Sequence, residues 1–198
     1  MGLARFPLLS RYLDGLPAGL ASYPEAQAKG SVIRVLVTTA PVRVDPDELP
    51  SELAVFLERP PLPTAWVSEV QLNALGLVYE DAMPHHAYEA WVWERNRAIL
   101  TNPLYKILFW MISPERLFVG LPHRWSAFRR GTELALVDQS AGRARLRLTF
   151  PKNLHDKATL ANVCVAGRVV AEAAGAKASD MVVESYAPTS AVFAISWA

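Results

Sequence analysis

Apolar residues recur three and four apart, or in runs between prolines, up to about residue 130; beyond Gly131 they alternate with polar ones in two stretches on either side of one more helical segment. The first pattern predicts helices and the second strands, because side chains turn by about 100° per residue on a helix and change face at every residue of a strand. The stretch "SVIRVLVTTAPVRVDPDELP" suits a buried strand or a buried helix, and a helix is expected over residues 25–38. Asp45 or Asp47 is placed to cap a helix reaching Leu57, and "RPPLPTAW" must be an extended connector, since each proline restricts the residue before it. Val67, Val70, Leu72, Leu75, Val78 and Tyr79 predict a helix over 68–81, and another follows over 84–100. Two further helices are expected to start at Asn102 with Pro103 and at Ser113 with Pro114, where the missing proline N–H costs nothing.

After Gly131, "TELALVDQSAGRARLRLTF" reads as a hairpin. A three-residue loop of Ser140, Ala141 and Gly142 sets Leu136 against Leu146 and Leu134 against Leu148, whereas a two-residue loop would set these leucines against Arg147 and Thr149. The three-residue loop is therefore expected. Arg143, Arg145 and Arg147 then share a solvated face with Glu133, Ala135, Val137 and Gln139. Next comes a helix capped by Asn153 and closed by Gly175, whose small residues allow close approach to whatever it covers. Cys164 lies in its apolar stripe and reads as core rather than nucleophile. A second hairpin turns at Pro188 and Thr189, with Phe193, Ile195 and Trp197 on one face. The fold class is α+β: a helical N-terminal half followed by a four-stranded antiparallel sheet in β-β-α-β-β order. One domain over residues 1–198 is expected, with a helical part at 1–80 and an α+β part at 81–198.

Composition narrows the function. Of 198 residues, 52% are hydrophobic and 20% charged, which supports a packed core and excludes global disorder. Twenty basic against nineteen acidic residues give a formal charge of +1, a poor footing for nucleic-acid binding. The opening "MGLARFPLLSRYLDGLPAGL" is too soon interrupted by Ser10, Arg11 and Asp14 for a secretory or membrane-spanning segment, so a cytoplasmic protein is expected. One cysteine can make neither an internal disulfide nor a cysteine-rich zinc site.

No Gly-rich phosphate loop, GxSxG elbow or HExxH helix occurs. In "PHHAYEAW", His85 and His86 stand four and three residues before Glu89, a weak candidate for a metal; the default is a solvent-facing helix start, and adjacent histidines project about 100° apart. In "PHRWSAFRRG", His123, Arg124, Arg129 and Arg130 flank Trp125 and Phe128, a combination suited to an acidic group on an aromatic-lined ligand. Its structural alternative is a loop anchored by aromatics with solvated arginines. Nine aromatics fall between Tyr88 and Phe128, Trp91 and Trp110 among them, and could line a cavity, form core or make a dimer surface.

This order of elements, together with "ISPERL", "RWSAFRRGTEL", "EAAGAK" and the closing Trp197, resembles the superfamily of haem-NO-binding domains, vinyl-reductase-type small-molecule-binding domains and TRAPP subunits. Within it the nearest resemblance is to a myxobacterial paralogous family. The resemblance implies a non-catalytic ligand-sensing or scaffolding domain, frequently dimeric through its helices. The haem-binding branch uses a proximal histidine and a Tyr-x-Ser-x-Arg motif; Tyr186 is followed by Ala187, Pro188 and Thr189, so no cofactor is expected and haem is set aside.

The expectation is thus a regulatory or adaptor domain, a homodimer that binds a partner protein or an apolar small molecule, with ligand-binding candidates His123, Arg124, Trp125, Phe128, Arg129, Trp91 and Trp110. One alternative is a small enzyme for a hydrophobic carboxylic acid, with His123 as acid or base and Arg129 or Arg130 on the carboxylate. Another is a structural subunit of a larger assembly.

Overall fold

The computed structural model describes residues 4–101 and 113–198. The chain packs into two compact units, Met1–Arg95 and Asn96–Ala198. The helix expected from Asn102 lies outside the described residues.

In the first unit, α1 (Pro7–Asp14) is followed by β1 (Gln27–Lys29), α2 (Gly30–Thr39), α3 (Ser51–Glu58), β2 (Trp66–Ser68), α4 (Glu69–Ala82) and the start of α5 (His85–Thr101). The helix expected over 25–38 begins only at Gly30, because Gln27, Ala28 and Lys29 pair antiparallel with Ser68, Val67 and Trp66. Both strands feed straight into helices. Gly30 is required at the junction: a Cβ there would collide with the Leu62 carbonyl oxygen, while its N–H donates to the Ala65 carbonyl at 2.8 Å. The Asp45 side chain caps a short 3-10 turn, Pro46–Glu48, rather than α3, and accepts from the Asp47 N–H.

α4 is the centre of this unit. Ser68 caps it through the Gln71 N–H, and Val70, Leu75, Leu77, Val78 and Tyr79 are buried. Each such side chain removed from water contributes about 1.5–3 kcal/mol. Asp81, near its end, accepts from the Leu8 and Leu9 N–H groups at 3.0 and 3.2 Å, satisfying donors that the first turn of α1 leaves open.

The second unit holds α6 (Pro114–Trp125), β3 (Arg129–Arg130), β4 (Glu133–Ser140), β5 (Arg143–Thr149), α7 (Lys157–Ala173), β6 (Ser179–Ala187) and β7 (Ser190–Trp197). The four long strands form an antiparallel sheet in the order β4-β5-β7-β6, so the α+β architecture and the β-β-α-β-β order stand as expected. Leu134, Leu146, Leu148, Phe193, Ile195 and Trp197 face inward and are buried, with α6 packed against β4 and α7 against β6.

The leucine pairs of the first hairpin form as expected, but by another device. Ser140 pairs with Arg143, so the turn holds only Ala141 and Gly142, the latter at φ +70°, and the register is recovered by a bulge at Val137 between Leu136 and Asp138. The extra residue also exchanges two neighbours. Asp138 joins the arginines on the outer face, while Gln139 turns inward and its Nε2 donates to the Glu115 carbonyl at 3.0 Å. Arg145 donates to Asp138 at 3.0 Å and, across β7, to Glu184 at 2.8 Å, so the exposed outer face carries an ion network.

α7 is capped by Asp156, not Asn153. Asp156 and Thr159 form a reciprocal capping box, whereas Asn153 sits in the left-handed conformation at φ 61°. Gly175 closes the helix at φ +99°. The close approach expected of this helix occurs at Gly167, where a Cβ would run into the Met181 sulfur. The second hairpin turns at Pro188 and Thr189, with a bulge at Glu184. Among the described residues no helix is long and apolar enough to cross a membrane.

Candidate functional site

α6 begins with Ser113 as cap and Pro114 in its first turn, and it buries Leu117 and Phe118 against the sheet. Its last turns do not lie flush. Between them and β4 runs an open groove of about 570 Å³, lined by Val119, Pro122, His123, Trp125, Ser126 and residues 132–136. Pro122 stands inside the helix and has no N–H to donate back, which loosens the turn bordering this groove. His123 is exposed on the rim, and Leu134, Leu136, Val119 and Trp125 supply apolar wall.

The Trp125 indole is fixed. Its Nε1 donates to Thr132 Oγ1 at 3.1 Å, its ring meets Phe128 edge-on at 5.3 Å, and the Arg129 guanidinium lies 5.9 Å from its centre. Trp125 thus contacts Phe128 and Arg129, and His123 lines the same groove as Trp125. Arg130 is exposed. Arg124 departs from the group: it folds back over Gly120 and lines a second groove, since neighbours on a helix project about 100° apart.

Trp91 belongs to the first unit and is engaged there. It is buried, its Nε1 donates to the Thr39 carbonyl at 3.0 Å, and its ring packs 5.2 Å from Tyr79 and 5.8 Å from Tyr88. Trp110 lies outside the described residues. His85 sits at the exposed start of α5 with its Nε2 3.3 Å from Glu89 Oε1, and His86 beside it is exposed. Among the described residues no three His, Cys, Asp or Glu side chains are arranged to hold a metal ion. His155 is buried edge-on against Phe150 at 4.9 Å. Burial pushes the Cys164 thiol up to about 11, which keeps it protonated near neutrality.

Val119, Pro122, Thr132 and Leu136 are groove residues that the sequence did not single out. Pro122 within a helical pattern was the available signal; the others line a space that exists only once α6 and β4 are packed.

No family model matches the sequence, and no curated protein matches it significantly. Solved structures do match. One from work probing the function of haem distortion in the H-NOX family superposes with a TM-score of 0.58 at 8% identity, covering 85% of this chain and 94% of that one. The Fe(II) unliganded H-NOX protein from K. algicida gives 0.51 at 7% identity over 100% and 97%. An isoleucine-to-phenylalanine mutant of T. tengcongensis H-NOX gives 0.52 at 9% over 85% and 97%.

These neighbours overturn the expectation that haem can be set aside. That expectation rested on Tyr186, which proves to be an exposed residue near the end of β6 whose hydroxyl donates to the His155 carbonyl at 3.1 Å, so the residues after it carry no information about a haem pocket. A haem needs a nitrogen, sulfur or oxygen donor for its iron and an apolar surround for its ring. The groove offers the His123 imidazole and an apolar wall, and Arg129, outside its lining, lies against Trp125. In donor chemistry the residues present fit the group, although none of the six tyrosines begins a Tyr-x-Ser-x-Arg motif. The chain has the fold of the haem-NO-binding, or H-NOX, domains.

Proposed function

We propose that the protein is a non-catalytic ligand-sensing domain whose ligand occupies the groove between α6 and β4, with haem as the first ligand to test. The observation that supports this reading is the underfilled groove beside His123 and Trp125, in a fold shared with haem proteins. His123 would hold the iron, Val119, Pro122, Leu134 and Leu136 would keep water from one side of the ring, and Arg129 would meet an acidic group at its edge. Bound haem supplies an iron site for a small axial ligand. The chain's own residues bind and orient the group.

The test is titration of purified protein with hemin, read by absorption and native mass spectrometry. A saturable Soret band with one retained haem, shifted or lost in His123→Ala, supports the reading. No saturable band, or an unaltered band in that variant, overturns it. Dimerisation through the helices, which the family resemblance implies, belongs to the same reading and is read from the same mass spectra.

A further inference from the structure

We infer that the second groove beside α6 is a docking site for an extended acidic segment of a partner protein, in which two carboxylates four residues apart flank an apolar side chain. The groove has a volume of about 720 Å³ and is lined by Glu115, Arg116, Val119, Gly120, Arg124 and residues 139–141. It shares Val119 with the His123 groove, but Arg116 and Arg124 line this groove alone, so their variants test the inference apart from haem.

Arg116, Gly120 and Arg124 follow one another at every fourth position and make one stripe of the helix. Gly120 leaves the space into which the Arg124 guanidinium folds. Among the described residues neither Arg116 nor Arg124 has a carboxylate partner, unlike Arg145, which has two. Glu115, the one acidic side chain of the groove, already accepts from the Trp197 indole at 2.8 Å. The groove is left with a positive balance at two points.

Spacing then selects the occupant. Eight helical residues separate the Cα atoms of the two arginines by about 12 Å at 1.5 Å each, a span their side chains keep when both point straight out from the helix. In an extended chain, residues four apart share a face and lie about 13 Å apart. The residue midway between them points to the same face, over the stretch of helix between the two arginines, where Val119 is 51% exposed. Guanidinium forks suit carboxylates, and Val119 suits the apolar side chain between them.

The probe is a fluorescein-labelled peptide, Gly-Glu-Ser-Leu-Ser-Glu-Gly, followed by anisotropy at low ionic strength. Binding should weaken about tenfold or more in the Arg116→Glu/Arg124→Glu protein. It should weaken likewise when the second glutamate is moved one place further along, and it should fall with added salt. Arg116→Gln/Arg124→Gln serves if the charge reversal does not fold, with circular dichroism as the control. Failure to bind, equal binding of the shifted peptide, or unchanged binding to the variant would overturn the inference. Displacement by inorganic phosphate well beyond that by sodium chloride at equal ionic strength would do so by indicating a small-anion site, and reversal-sensitive self-association would do so by indicating a second copy as the occupant.

Discussion

Trp197 Nε1 donates to Glu115 Oε1 at 2.8 Å, tying the last strand to the first turn of α6, and the same indole stacks on Phe118 with ring centres 5.0 Å apart. One side chain thus fixes the helix that carries both grooves. Trp197→Ala should destabilise the protein by about 3–5 kcal/mol, as expected for an emptied aromatic site. Trp197→Phe keeps the stack and removes only the N–H. The Trp197 bond, followed by the Glu115 and Ser113 contacts, holds the Glu115 carboxyl below the ordinary carboxylate range. A depressed carboxylate stabilises the fold above that range, and the contribution is lost as pH falls through its folded value. The gap in melting midpoint between the wild type and Trp197→Phe should therefore be largest near neutrality and close on the acid side of the carboxylate range.

The bulge at Val137 makes a two-residue turn compatible with the leucine pairs. Deleting Val137 leaves Leu136 opposite Leu146 and Asp138 opposite Arg145, a regular ladder with the same inner set. Deleting Ala141 instead forces the turn to take a paired residue. Thermal melts should show the first deletion tolerated and the second strongly destabilising.

Gly167 abuts Met181 where α7 crosses β6. Gly167→Val should destabilise by about 1–3 kcal/mol through overpacking. Gly167→Ala combined with Met181→Ala should cost less than the sum of the single changes, because the two share one space. Urea denaturation of the four proteins measures this coupling.

Cys164 is buried and its thiol is raised to about 11, first by desolvation and then by Asp180. Thiolate is the reactive form. Labelling with iodoacetamide at neutral pH should be slow in the folded protein and fast in denaturant. Because the folded value is raised, the thiol's contribution is full below its ordinary range and is lost as pH rises towards 11.

The elements that sequence revealed are those written in local chemistry. Ser68 caps α4, Pro114 opens α6, and the Pro188-Thr189 turn joins β6 to β7, each settled by a few adjacent residues. The three-residue strands at Gln27–Lys29 and Trp66–Ser68 were illegible, since each is a strand only through a partner far along the chain. Alternation gave the leucine pairs but not the bulge, because one unpaired residue leaves the apolar pattern intact on each side. The cluster around Trp125 was legible as neighbours in sequence. The groove was not, as its far wall is β4, and Arg124, adjacent to both His123 and Trp125, turns into the other groove.

Both outer strands of the four-stranded sheet, β4 and β6, carry an extra residue, at Val137 and Glu184. A strand interrupted in this way offers an incoming chain no long, flat row of amide and carbonyl groups, so fibril-like growth of the sheet from either margin is discouraged. Association with other molecules is thereby directed to side-chain surfaces, the helices among them.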